Sequence, residues 1–139
     1  MGYIKAVYKL DEKNRFSLPK KFLSPRKFFI TLGLDGCISL YPRDVWDEIQ
    51  KKISPLNYGK ENNRKFLRLF YAYSNELVPD SHNRLTIPEY LRKEAGIKNK
   101  ILIIKIGNWY EIWNPEKFKK FEKENKKSFS TFAGKLNIL

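Results

Sequence analysis

Two nine-residue stretches carry the chemistry most worth asking about: DEKNRFSLP at 11–19 and DSHNRLTIP at 80–88. Both read Asp-x-x-Asn-Arg, then an apolar residue, Ser or Thr, an apolar residue and Pro. Asp and Asn bond readily to nearby backbone, and Asn tolerates positive φ, so 11–14 and 80–83 are turn chemistry. An Arg at the base of a tight turn can be held extended by the turn's Asp. Its guanidinium is a planar fork of donors suited to phosphate or to O6 and N7 of guanine. On the residues alone two outcomes stay open. One is a turn closed by a structural ion pair with no ligand; the other is an arginine presented to an anion.

Little else in the chain offers reaction chemistry. His82 is the only histidine and lies inside the second turn. Cys37 is the only cysteine; between Gly36 and Ile38, in an expected hairpin, it reads as a small packed residue rather than a nucleophile. There is no GxGxxG, no P-loop, no HExxH and no metal-ligand spacing, so no enzyme, cofactor or metal site is expected. A lone cysteine also excludes a disulfide framework within one chain.

Charge narrows the partners. The 139 residues carry 28 Lys and Arg against 15 Asp and Glu, a net +13. Residues 1–75 contribute +8 and 76–139 contribute +5, so the excess is not a basic tail on a neutral domain. Such a surface attracts polyanions, nucleic acid before anionic membrane. A Lys- and Asn-rich genome would also make a chain basic, so charge alone leaves the partner open. The opening MGYIKAVYKLDEK has no apolar h-region. The run ILII at 101–104 is too short to span a bilayer, and Ala6 does not fit a myristoylation motif. A soluble cytosolic protein is expected.

The elements that must position the two arginines follow from pattern. Residues 3–10 alternate and are rich in Tyr, Ile and Val, a strand. Residues 16–18 resume extended structure, and Pro19 opens a short helix over 20–23 that Ser24-Pro25 ends. Strands over 28–32 and 37–41 join through a turn at 33–36. Pro42 opens a helix with Val45, Trp46, Ile49 and Ile53 on one face. A helix over 63–74 carries Phe66, Leu69, Phe70 and Tyr73 in one stripe, widened by Leu67 and Tyr71 beyond what one core face needs. Two readings of it stay open: a deeply buried helix, or a second face that meets a neighbouring subunit. The second half repeats the first: a lead-in at 76–79, the turn, a strand at 85–87, a helix over 90–95 stopped by Gly96, and strands at 101–106 and 109–113. Pro115 then opens a last helix whose stripe is Phe118, Phe121, Phe129, Phe132 and Leu136. The spacing between copies grows from 69 at the turns to 73 at Pro42 and Pro115, which places four extra residues around 97–100. Lys117, Lys119, Lys120, Lys123, Lys126 and Lys127 crowd the rest of the last helix, a solvated face or a membrane-surface one. Units this short bury too little surface to stand alone, so the copies should share a core.

The twice-written DxxNR frame resembles the swapped-hairpin AbrB/SpoVT family. Its occurrence twice in one short chain resembles the MraZ family of bacterial transcriptional regulators associated with the division and cell-wall gene cluster. GLDGCISLYPRDVW at 33–46, RKFLRLFYA at 64–72 and WYEIWNPEKF at 109–118 are similar to that family's other segments, and the likeness runs in order over nearly the whole chain. The family usually has Gly before the Arg; here Asn14 and Asn83 stand there, the residue type that most often replaces Gly at positive φ.

The resemblance implies a mixed α+β fold, a pseudo-twofold duplicated AbrB-like swapped-hairpin β-barrel with flanking helices. It divides the chain into a first repeat at 3–50, a connecting loop and helix at 51–75, a second repeat at 76–120 and a C-terminal extension at 121–139. It also implies ring-like homo-oligomers that bind short direct repeats of double-stranded DNA at the protein's own promoter, as a repressor in the bacterial cytoplasm and nucleoid. Arg15 and Arg84 become the main DNA contacts, with Asp11, Asp80, Asn14 and Asn83 bracing their turns. Lys13, His82, Lys20, Lys21, Arg92 and Lys93 become candidate phosphate contacts. The competing expectation is a protein-interaction module of the same fold, antitoxin-like or scaffold, with only nonspecific DNA binding. Two copies and a helical C-terminus favour the regulator.

Overall fold

Strand pairing interlocks the two copies. The computed structural model describes residues 5–22 and 27–139. The first copy supplies strands β1 (Lys5–Lys9), β2 (Arg15–Phe16), β3 (Phe28–Leu32) and β4 (Ile38–Pro42), then helices α1 (Arg43–Ile53) and α2 (Glu61–Ala72). The second supplies β5 (Asn75–Leu77), β6 (Leu85–Thr86), α3 (Glu89–Ala95), β7 (Lys100–Ile106) and β8 (Trp109–Trp113), then α4 (Pro115–Asn125) and α5 (Phe129–Leu136). Short 3-10 turns stand at Lys20–Phe22, Leu34–Gly36 and Lys126–Ser128. The expected strand start at 3–4, and the end of the expected helix with its Ser24-Pro25 stop, lie outside the described residues.

Six strands form one antiparallel sheet in the order β1-β7-β8-β4-β3-β5. Each copy's leading strand therefore lies on the other copy's hairpin: β1 on β7, and β5 on β3. The pairs Tyr8–Ile101 and Leu77–Phe28 are images of one another under the spacings of 69 and 73. Among the described residues the motif strands β2 and β6 pair only with each other, and Phe16 faces Leu85, its own repeat equivalent, so the pseudo-twofold axis passes between them. The expected mix of sheet and flanking helices is met, but no closed barrel is found among the described residues. Among the described residues the sheet ends at β1 and β5, and the two-residue ladder of β2 and β6 stands as a separate sheet. Lys5 and Lys9 on β1 suit an unpaired edge.

One core serves both copies. Leu10, Phe16, Leu18, Phe28, Ile30, Ile38 and Leu40 pack with Leu85, Ile87, Leu91, Ile101, Ile103 and Ile112. On the other side of the sheet Trp46 stacks on Phe29 at 4.7 Å and on Phe70 at 5.4 Å, joining α1 and α2 to the strands. The buried Thr31 hydroxyl donates to the Phe70 carbonyl at 2.8 Å and fastens α2 over β3.

Two sequence expectations change. Helix α2 is not deeply buried: Phe70 is 7% exposed but Leu69 is 54%, with Phe66 and Tyr71 also exposed. One edge of the helix rests on Trp46, and periodicity does not say what covers the other. The last helix is two helices. At Asn125 φ moves to −117°, and its side-chain amide donates back to the Phe121 carbonyl at 2.8 Å, so the chain bends through a 3-10 turn before α5.

Candidate nucleic-acid interface

The two motif turns share one hydrogen-bond pattern. In the first, Asp11 Oδ1 accepts from the backbone N–H of Lys13 at 2.9 Å and of Arg15 at 2.8 Å. Its Oδ2 accepts from Arg15 Nε at 2.7 Å. In the second, Asp80 Oδ1 accepts from the N–H of His82 at 2.8 Å and of Arg84 at 2.9 Å, and Oδ2 accepts from Arg84 Nε at 2.9 Å. Backbone bonds close both turns: Asp11 and Asp80 donate to the carbonyls of Arg15 and Arg84, and Asn14 and Asn83 donate back to Asp11 and Asp80. Asn14 and Asn83 hold φ at 61° and 59°. An L-residue other than Gly, Asn or Asp enters that region only at a cost of about 1–2 kcal/mol, which explains why Asn stands there.

This geometry sets the electrostatics. Partial burial works against the charge of Asp11, but the Arg15 N–H, the Arg15 guanidinium and the Lys13 N–H outweigh it and lower the carboxyl's pKa. At Asp80 the hydrogen bond from the Arg84 N–H leads, and against partial burial it combines with the His82 N–H and the Arg84 guanidinium to bring the carboxyl down to about 2. Both carboxylates are thus charged across the physiological range, and both guanidinia are held by Nε. The remaining donors of each fork are its Nη nitrogens, which a ligand shares with Asp80 at Arg15 and with His82 at Arg84.

The turns also meet. Arg15 Nη1 lies 3.8 Å from Asp80 Oδ2, so the first copy's arginine faces the second copy's aspartate. Arg15 and Arg84, with side chains 21% and 31% exposed, line one open groove of about 820 Å³ with Lys9, Leu10, Asp11, Glu12 and Asn99. Pattern reading missed Lys9 and Asn99. Asn99 enters because its carbonyl accepts from the Leu10 N–H at 2.8 Å, a contact between copies that no local signal announces.

The remaining candidates differ in their surroundings. Lys13, Lys20 and Lys21 are exposed, and Lys21 sits 5.2 Å from the centre of the Phe22 ring. His82 Nδ1 is 3.3 Å from Ser81 Oγ and 3.5 Å from Arg84 Nη2. Lys93 pairs with Glu89 at 3.6 Å on α3. Arg92 is half-buried and donates from Nη1 to the Ile87 carbonyl at 2.8 Å. Cys37 is packed as expected: its thiol donates to the Leu34 carbonyl, and burial, then Glu111, push its pKa up to about 12. Among the described residues no helix is long and apolar enough to cross a membrane, and no cluster of three or more His, Cys, Asp or Glu is placed to hold a metal.

Comparison with known proteins agrees with the duplication. The family model described as "MraZ protein, putative antitoxin-like" matches the chain twice, at residues 6–69 and 70–136. A curated relative from Syntrophomonas wolfei subsp. wolfei, named Transcriptional regulator MraZ, is 38% identical over 131 residues, which span 93% of this chain and 92% of the relative. With two tandem matches over nearly its full length and a relative of matching extent, the chain belongs to the MraZ family.

Proposed function

We propose that the chain is a sequence-specific, DNA-binding transcriptional regulator that reads short direct promoter repeats through its two arginine turns. The observation that carries this reading is the pair of identically braced guanidinia lining one groove of a strongly basic chain. A locked turn lowers the entropy lost on binding, and one well-placed bidentate Arg–guanine contact is worth about 1–3 kcal/mol of discrimination. Arg15 and Arg84 read bases or phosphate. Asp11 and Asp80, with Asn14 and Asn83, hold them. Lys13, His82, Lys20, Lys21 and Lys93 contact phosphate.

The assembly we propose is a ring-like homo-oligomer built from swapped-hairpin units, with repeats at 3–50 and 76–120 joined by 51–75 and extended by 121–139. Exposed Phe66, Leu69 and Tyr71 on α2 support a subunit contact there. A single copy binds modestly, and linkage of copies on matched repeats supplies the affinity. The regulator acts as a repressor of its own division and cell-wall cluster, in the cytoplasm and at the nucleoid, without catalysis. The test is fluorescence anisotropy with duplexes of equal length carrying tandem promoter repeats, one repeat or a scrambled sequence. Tandem repeats should bind far more tightly than twice the single repeat. A monomeric variant that binds one repeat as tightly as the oligomer binds the array would contradict the mechanism.

A second reading has its own observation. Phe118, Phe121, Phe129 and Phe132 line an apolar groove of about 620 Å³ between α4 and α5, with Phe129 64% exposed. That surface suits a protein partner, and a co-purifying protein of fixed stoichiometry would favour an antitoxin-like or scaffold role.

A further inference from the structure

We infer that Arg92 is a positioning residue for the first copy's arginine, acting across the repeat boundary, rather than a phosphate contact. The inference rests on the reading of Arg15 as a DNA reader and deepens it. The peptide unit joining Asn14 to Arg15 is held at both ends. Its N–H donates to Asp11 Oδ1 at 2.8 Å, and its carbonyl accepts from the Ile87 N–H at 3.1 Å. Ile87 is fully buried in the second copy, and its own carbonyl accepts from Arg92 Nη1 at 2.8 Å. A half-buried charged donor on α3 therefore fixes the residue that fixes the backbone of the left-handed Asn14. Such charge-assisted bonds are about twice as strong as neutral ones.

The relay is one-sided in sequence. The position equivalent to Arg92 in the first copy is Leu23, whose side chain has no donor. Arg92 thus serves the first turn, in the other copy, while Asp80 braces Arg84 in its own.

The experiment follows the Nε–H signals of Arg15 and Arg84 by nitrogen-edited NMR in the full chain, in wild type, Arg92→Gln and Arg92→Lys, alongside a salt titration of DNA binding. Arg92→Gln should speed solvent exchange at Arg15 Nε severalfold and leave Arg84 Nε as in wild type. Preference for the repeats should fall while the slope of log affinity on log salt stays the same. Arg92→Lys, which keeps the charge and a donor, should restore part of the Arg15 protection. Removing one phosphate contact lowers the slope by about 0.9, the change expected instead of Lys93→Ala. A slope loss of that size in Arg92→Gln with Arg15 undisturbed would overturn the inference, and so would equal disturbance of both arginines. If Arg15 responds but wild type shows no preference for the repeats, the DNA reading fails, and with it the functional half of the inference.

Discussion

Replacing Asn14 with alanine should lower the melting temperature by about 4 °C, while glycine should leave it nearly unchanged. Asn14 holds φ at 61°. An ordinary L-residue pays about 1–2 kcal/mol there and Asn pays part of that, so the alanine difference is about 1 kcal/mol. In a chain of 139 residues that corresponds to about 4 °C. Glycine pays nothing for positive φ but loses more freedom on folding, by about 0.5–1 kcal/mol, so the two effects nearly cancel. Valine, branched at Cβ, should fall furthest. The same order should hold at Asn83, where φ is 59°. Because Arg15 Nη1 approaches Asp80, the double alanine variant should depart from additivity. Thermal melts followed by circular dichroism, with urea titration beside them, read the series Gly ≈ Asn > Ala > Val. If alanine melts with asparagine and glycine at both positions, the left-handed turn is not what these residues are for.

Three other outcomes follow from the same contacts. Leu85→Ala empties a fully buried position on the pseudo-twofold axis and should cost about 2–5 kcal/mol in urea unfolding; a loss well under 1 kcal/mol would mean that β2 and β6 do not pack as described. Asp80 should titrate near 2 by carboxyl NMR. A depressed folded pKa places its contribution to stability fully in force above the unfolded value of about 3.9 and removes it as pH falls through about 2. An ordinary titration at about 3.9 would mean that the Arg84 and His82 N–H groups do not hold it. Cys37, raised to about 12, should resist a thiol reagent at pH 8 until the chain unfolds; prompt reaction in native buffer would contradict its packing.

Much of this molecule is legible in its sequence because its elements are short and regularly punctuated. The pairs Pro42 with Pro115 and Asn14 with Asn83 mark equivalent points in the two copies, and short runs of apolar and aromatic residues between turns mark β3, β4, β7 and β8. Val45, Trp46, Ile49 and Ile53 share a face by periodicity and do pack together. Periodicity names a face without naming its cover, so the exposure of Leu69 and Phe129 could not be read from it. The bend at Asn125 was hidden because the surrounding Lys and Glu favour helix on both sides. The turns themselves were readable as turns. Their supports were not: Arg15 near Asp80, Asn99 under Leu10, and Arg92 on Ile87 all depend on tertiary placement.

The measurement to make first is repeat preference by fluorescence anisotropy for wild type, Arg15→Ala, Arg84→Ala and the double variant, each checked for folding. If the braced arginines read DNA, each single change should weaken the preference for repeats over scrambled duplex by about 1–3 kcal/mol, and the double variant should lose it. A folded double variant that still prefers the repeats as wild type does would show that DxxNR is a structural turn and that DNA, if bound, is read elsewhere.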